Sequence, residues 1–338
     1  MNILLVRPDG IGDEILCLPV ATGLKQVWPD ARVGFLSSVS AAPVLSHHPD
    51  LDAVHTITGQ ESFRELVSLF RQDWEAALFL KPYRRLLAAA YVARVPLRVA
   101  TGYRWYSLLA NRRVYEHRRL FNKHESEYNL GLLRGLGLEP GPLQPPRLVL
   151  TDKERVDGQM RVAALPRPRV ILHPGGLTPR HWRMSHYHAL MHDLEREGYG
   201  VVLTGSADEL RSFEAGGEIY SKSSSILNVM GQLPLRELMG IIAACHVLVS
   251  ASTGPAHIAS ALGVGTVTLF DPRRNMSPVR WKSLGENVVL RPEVPTCERC
   301  IYEACPYWDC LDRITVDQVM AAIRNTVGHP DLPLVSHA

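Results

Sequence analysis

The sequence predicts the α/β class, organised as two doubly wound parallel sheets in two domains. Three observations carry that prediction. The chain has 338 residues, more than one hydrophobic core usually fills. Apolar runs of strand length alternate with amphipathic stretches of helical spacing along both halves. Between the halves lies "GLEPGPLQPP" (137–146), rich in Pro and Gly and without periodicity. The domains are expected at 1–150 and 168–325, with a ligand cleft between them.

In the first half, "NILLV" reads as a strand and "RPDGIGD" as its loop. "EILCLPVATGLKQVWP" follows as one helical pattern, then "RVGFLSS" as a strand, "FRELVSLFRQ" as a helix and "EAALFLK" as a strand. "TDKERVDGQMRVAALPRP" is a charged helix running into a second proline-rich joint. In the second half "RVILHPGG" feeds a helix over 185–197, and "YGVVLTGS" feeds one at "ADELRSFEAG". "LRELMGIIAAC" is a helix, "HVLVSAS" a strand, "PAHIASALG" a helix and "TVTLF" a strand. The connections are short, as α/β units prefer.

Composition narrows the function classes. Hydrophobic residues make up 46%, enough for two cores, and 37 Lys plus Arg against 34 Asp plus Glu give a net charge of +3, too balanced for a general nucleic-acid binder. The start "MNILLVRPDGIGDE" has no signal-peptide architecture, and no apolar run approaches the roughly 20 residues of a membrane span. A cytoplasmic protein is expected, at most peripheral to the inner membrane. Cys17 and Cys245 stand in apolar helical patterns and read as buried thiols.

Ligands of open α/β sheets collect beyond the carboxyl ends of the strands, so the strand-to-helix loops are the candidate sites. "RPDGIGDE" supplies Gly10 and Gly12 for a tight turn and Asp13 at the helix start. Asp13 either caps that helix and compensates its dipole or serves as a base for an acceptor hydroxyl. In "HPGGLTPRHW" the amides of Gly175 and Gly176, with Thr178 and Arg180, can meet an anion. The order GxGxxG and the Gly-Lys-Ser phosphate loop are both missing. "STGPAH" brings Ser252, Thr253 and Gly254 to a helix start, with Pro255 suited to the first turn and His257 one turn in. "LTGSADE" offers Gly205 and Glu209, the latter either a sugar-hydroxyl acceptor or an ordinary helix-start acid. "TLFDPRRNMSP" is expected on the purine or ribose side of the same cleft.

Taken in order, "VRPDGIGDEILCLPV", "HPGG…RHW", "TGSADE" and "STGPAHIASALG" resemble the lipopolysaccharide heptosyltransferases of glycosyltransferase family 9. The resemblance spans residues 3 to about 323. It implies the GT-B arrangement of two Rossmann-like domains and inverting transfer of heptose from ADP-heptose, with no cofactor or metal needed for catalysis. It also implies that Asp13 is the general base, that the residues from Ser252 onward receive the diphosphate, and that Arg180 and Glu209 stand where donor-binding Lys and Glu usually occur. The chain departs from the family pattern with Arg180 in place of that Lys, and with Ser252 where many members carry Asp.

The span "NRRVYEHRRLFNKHE" holds Arg112, Arg113, Arg118, Arg119 and Lys123 against Glu116 and Glu125. It is either a solvated charged face or the seat of an anionic acceptor, such as the lipopolysaccharide inner core. A protein or small natural product as acceptor, another nucleotide sugar, and a non-catalytic nucleotide-sugar-binding or assembly protein, homo-oligomeric in the last case, are the competing readings. Finally, Cys297, Cys300, Cys305 and Cys310 form a C-x2-C-x4-C-x4-C array. In a cytoplasmic protein it suits structural zinc or iron better than two disulfides, with four reduced thiols as the plain alternative.

Overall fold

The computed structural model describes residues 1–176, 181–215 and 223–328. The chain divides into two compact units, Met1–Val149 and Leu150–Ala338.

The first unit runs β1 (Asn2–Val6), α1 (Ile11–Ile15), α2 (Leu18–Val27), β2 (Arg32–Ser38), β3 (Ala53–Ile57), α3 (Phe63–Phe70), β4 (Ala76–Phe79), α4 (Arg84–Val92), β5 (Leu97–Thr101), β6 (Arg112–Val114) and α5 (Glu125–Leu130). Its six strands lie in the order β3-β2-β1-β4-β5-β6, all parallel. β1 is central and buried nearly throughout, which is why "NILLV" is an unbroken apolar run rather than an alternating one. Leu4, Val6, Phe70, Phe79 and Leu87 share one core cluster.

The single helix expected at 14–29 is instead two. Pro19 has no amide hydrogen to continue an α-helical ladder, so α1 stops at Ile15 and α2 restarts with proline in its first turn.

The second unit runs α6 (Asp152–Arg161), β7 (Arg169–His173), α7 (Met184–Arg196), β8 (Gly200–Leu203), α8 (Ala207–Ala215), β9 (Ile226–Asn228), α9 (Leu235–Ala243), β10 (Val247–Ala251), α10 (Gly254–Ala261), β11 (Gly265–Leu269), α11 (Pro278–Trp281), β12 (Asn287–Leu290) and α12 (Val316–Val327). Its parallel sheet is ordered β12-β11-β10-β7-β8-β9, the same winding as the first. α6 crosses α9 where two glycines meet. A Cβ on Gly158 would stand 2.1 Å from the Gly240 carbonyl oxygen, so only glycine permits this approach. Trp182 is buried and donates its indole N–H to the Ile314 carbonyl at 2.7 Å, pinning the start of α7 to the segment before α12.

In each winding the chain leaves the first strand toward one edge and later returns to the other. The crevice at the carboxyl ends therefore opens between β1 and β4 in the first unit, and between β7 and β10 in the second.

Candidate functional site

At the first of these switch points the loop after β1 carries Arg7 and Asp9, and Asp13 lies in the first turn of α1. Gly10 caps α1 without a side-chain bond, so Asp13 does not act as the cap; its carboxylate accepts from the Arg7 guanidinium. Arg7 is buried and also donates to Glu125 Oε1 at 3.1 Å and the Leu80 carbonyl at 3.4 Å, while its Nε stands 3.3 Å from Asp9 Oδ2 as an ion pair without a hydrogen bond. Glu125, fully buried at the start of α5, also accepts from Arg118, which in turn donates to Asn129 Oδ1 and the Leu80 carbonyl, both at 2.9 Å. Lys81, just past β4, closes the array on Asp9 at 2.6 Å.

Burial pushes the Asp13 carboxyl above its ordinary pKa. Arg7 pulls against that, and the neighbouring charges of Asp9 and Glu125 add to it. Burial would lower Arg7, but the acids around it raise it instead and keep it charged. Glu14, one residue after Asp13, is fully buried; it accepts amide hydrogens from Asp9 at 3.1 Å and Ser38 at 2.9 Å and the Ser37 hydroxyl, tying the loop to the end of β2. Burial pushes its carboxyl up to about 7, against the pull of those bonds. Beside this array, at the ends of β4 and β5, lies a cavity of about 370 Å³ lined by Tyr103, Arg104, His117, Arg118 and Arg119 among others.

At the second switch point the loop after β7 turns through Gly175 (φ 113°) and Gly176 (φ 126°), conformations that side chains with a Cβ rarely adopt. The structure gathers Gly175, Gly176, Gly205, Glu209 and Thr253. A Cβ on Gly175 would meet Glu209 at 2.5 Å, and one on Gly176 would meet the Thr253 methyl at 2.7 Å. Glu209 accepts the Ser206 amide at 2.7 Å as a helix-start acid does, and also takes the Gly176 amide at 3.1 Å. That amide, expected to face an anion, is therefore already given to a carboxylate. Thr178 and Arg180 lie outside the described residues.

Across the crevice, α10 begins right after β10, with Thr253 as its N-cap and Pro255 in its first turn. The Thr253 hydroxyl makes no cap bond; its Oγ1 is buried and has no hydrogen-bond partner among the described residues. A buried orphan hydroxyl at a helix start is an unmet donor beside the positive end of a helix. Ser252 and Gly254 are half-buried beside it and His257 is buried one turn on. His173, the last residue of β7, was not singled out by the sequence reading. It is buried against Thr204 Oγ1 at 3.0 Å, and burial pushes its imidazole below its ordinary pKa, with Glu209 opposing.

In the segment expected at the purine or ribose side, Asp271 and Arg273 are paired. Arg273 donates to Asp271 at 3.0 Å, and both line a small cavity of about 40 Å³ together with Cys297, Cys300, Cys305 and Cys310. The four cysteines are unbridged. Burial raises the Cys297 and Cys310 thiols, the latter to about 11, with Asp271 and neighbouring cysteines adding to the rise. Four thiols on one cavity are a donor set that suits zinc or iron. Among the described residues, however, no three ligating side chains are drawn together as a bound ion would hold them.

Two doubly wound parallel units, with a charged carboxylate array at one switch point and a glycine turn beside a helix start at the other, have the GT-B class of fold. Residues 67–307 match the family model of glycosyltransferase family 9 (heptosyltransferase), and the chain belongs to that family. It is similar to lipopolysaccharide heptosyltransferase 2 of Salmonella typhimurium, 28% identical over 295 residues that cover 80% of this chain and 83% of the relative. Among solved structures, E. coli ADP-heptose lipopolysaccharide heptosyltransferase II superposes with a TM-score of 0.81 at 23% identity, covering 97% of this chain and 98% of that one. A second E. coli heptosyltransferase, solved with ADP, gives 0.70 at 19% identity, covering 96% and 100%.

Proposed function

We propose that this heptosyltransferase-family chain transfers heptose from ADP-heptose to a hydroxyl of the lipopolysaccharide inner core, with inversion and without a catalytic metal. The observation that carries the reading is the setting of Asp13. Its side chain is 29% exposed, while Arg7 is 3% exposed and Glu125 behind it 0%. A carboxylate held from behind and open in front can receive a proton from an incoming hydroxyl.

In one displacement the hydroxyl oxygen bonds to the anomeric carbon while Asp13 takes its proton. The bond from that carbon to the diphosphate oxygen breaks, and the electron pair leaves with ADP. Attack opposite the leaving group inverts the centre. The Thr253 hydroxyl and the open start of α10 meet the charge that grows on the diphosphate. Arg180, in the loop after β7, is assigned the cation that meets the diphosphate. The cavity lined by Arg104, Arg118 and Arg119 suits an anionic acceptor.

Calorimetry with ADP, UDP and GDP tests the donor assignment: ADP binds best, and Arg180→Ala weakens ADP more than adenosine. A preference for UDP would overturn the donor. The four cysteines are proposed to hold one structural zinc or iron, which would tie 297–310 to the sheet and take no part in transfer. Elemental analysis of protein purified without a metal-affinity step should give one ion per chain, lost in Cys297→Ser. Metal-free protein with four titratable thiols contradicts it.

A further inference from the structure

The charge of this chain is not spread evenly. Residues 84–123 hold nine Arg and one Lys against a single acid, Glu116, a local charge of +9 in a protein whose total is +3. The remainder therefore carries 27 basic and 33 acidic residues, a charge of −6. The same stretch holds seven of the exposed large apolar side chains among the described residues.

Their arrangement makes a surface. After β5 the chain makes a 3₁₀ turn, Trp105–Leu109, before the edge strand β6. Residues three apart in a 3₁₀ turn eclipse one another, so Trp105 (73% exposed) and Leu108 (66% exposed) share one outward face. The turn is anchored beneath: the Tyr106 hydroxyl donates to the Pro82 carbonyl at 2.9 Å, and the Ser107 hydroxyl to the Thr101 carbonyl. Arg98 connects the turn to α4, donating to the Leu109 carbonyl at 2.9 Å with its guanidinium over the ring of exposed Tyr91. Exposed Arg94, Arg104, Arg112 and Arg113 flank the same strip in sequence.

We propose that the face formed by the Trp105–Leu109 turn and the end of α4 docks on an anionic lipid bilayer surface, with Trp105 and Leu108 entering the headgroup region and the arginines engaging lipid phosphates. Among the described residues no helix is long and apolar enough to cross a membrane, so the contact is peripheral. Exposed aromatic and aliphatic tips ringed by cations are what interfacial binding uses: apolar area supplies adhesion, and each arginine near an anionic surface adds to it. A soluble polyanion would use the arginines alone and leave the tryptophan without a role. The inference goes beyond the proposed transfer reaction and does not rest on it.

The test is cosedimentation of the full chain with phosphatidylcholine vesicles, with and without phosphatidylglycerol, in the absence of donor and acceptor. Its failure therefore leaves the transfer reading untouched. Binding to the anionic vesicles is expected to exceed binding to neutral ones at least about tenfold, and to fall as salt is raised. Trp105→Ser combined with Leu108→Ser should weaken it about tenfold or more with the melting temperature unchanged. Arg112→Glu with Arg113→Glu should weaken it independently. Failure to sediment with anionic vesicles overturns the proposal, as does partition of the Trp105 and Leu108 variant within about twofold of wild type. Heparin binding that survives in that variant alongside unchanged vesicle binding would mark a plain polyanion site and overturn it too.

Discussion

The two units share one winding but solve opposite problems at their switch points. The first buries charge and pairs it with opposite charge: Arg7 is shared among Asp13, Glu125 and Asp9, and Glu125 is shared in turn by Arg7 and Arg118, although Arg7 Nε faces Asp9 without a hydrogen bond. The second is built on glycine turns held by Glu209 and, among the described residues, leaves the Thr253 hydroxyl at the start of α10 without a partner. A site that must keep a proton acceptor in one place needs its counter-charges fixed in advance. A site that must accept a charged leaving group keeps its donors unpaired until the charge arrives.

The largest effect should follow from breaking the charge-paired array. Arg7→Met leaves Glu125 and Asp13 without a shared buried partner, and unfolding stability should fall by about 3 kcal/mol or more in denaturant titration. A loss near zero would mean the array is not coupled to the fold. The next effect is a pH dependence in the same loop. Glu14 ionises near its ordinary value of 4.5 in the unfolded chain and only at about 7 when folded. Between those values the folded state holds a proton the unfolded state has lost, so stability declines as pH rises through that window, by about 1–3 kcal/mol in all. Glu14→Gln should flatten that slope in melts run from acid to neutral pH. A wild-type curve that rises across the window contradicts this environment for Glu14.

The smallest effect sharpens the contrast on the donor side. Thr253→Val removes a hydroxyl with no hydrogen-bond partner among the described residues, so the melting temperature should hold or rise, while ADP affinity measured by calorimetry should fall about fivefold. Destabilisation with unchanged ADP binding would make Thr253 a packing residue only.

The strand-to-helix loops that form both switch points are legible in the sequence, because each follows a buried apolar strand and carries glycine or a helix-start residue. Asp13, Gly175, Gly176, Thr253 and Glu209 stand out on those grounds. What cannot be read locally is the pairing behind them. Arg7 and Glu125 are 118 residues apart, and nothing near either names the other. Arg118 belongs by sequence to a solvated basic run, yet the fold turns it inward to Glu125 and Asn129. The one local hint is an arginine set directly after the fully apolar strand "NILLV". Of the strands not singled out, β6 and β9 with three residues and β12 with four lie at sheet edges and are too brief for alternation to register, whereas β3 and the internal β5 have five residues each. The break between α1 and α2 was legible in Pro19, but the apolar spacing around it reads as one helix.

The account rests on Asp13 as the proton acceptor, and the transfer rate of Asp13→Asn with ADP-heptose and inner-core acceptor measures that most directly. Asparagine keeps the size and an oxygen toward Arg7 but cannot take the proton. The account predicts that kcat falls about 100-fold or more while ADP binds as in wild type. Turnover within about twofold of wild type, with ADP binding unchanged, would contradict it.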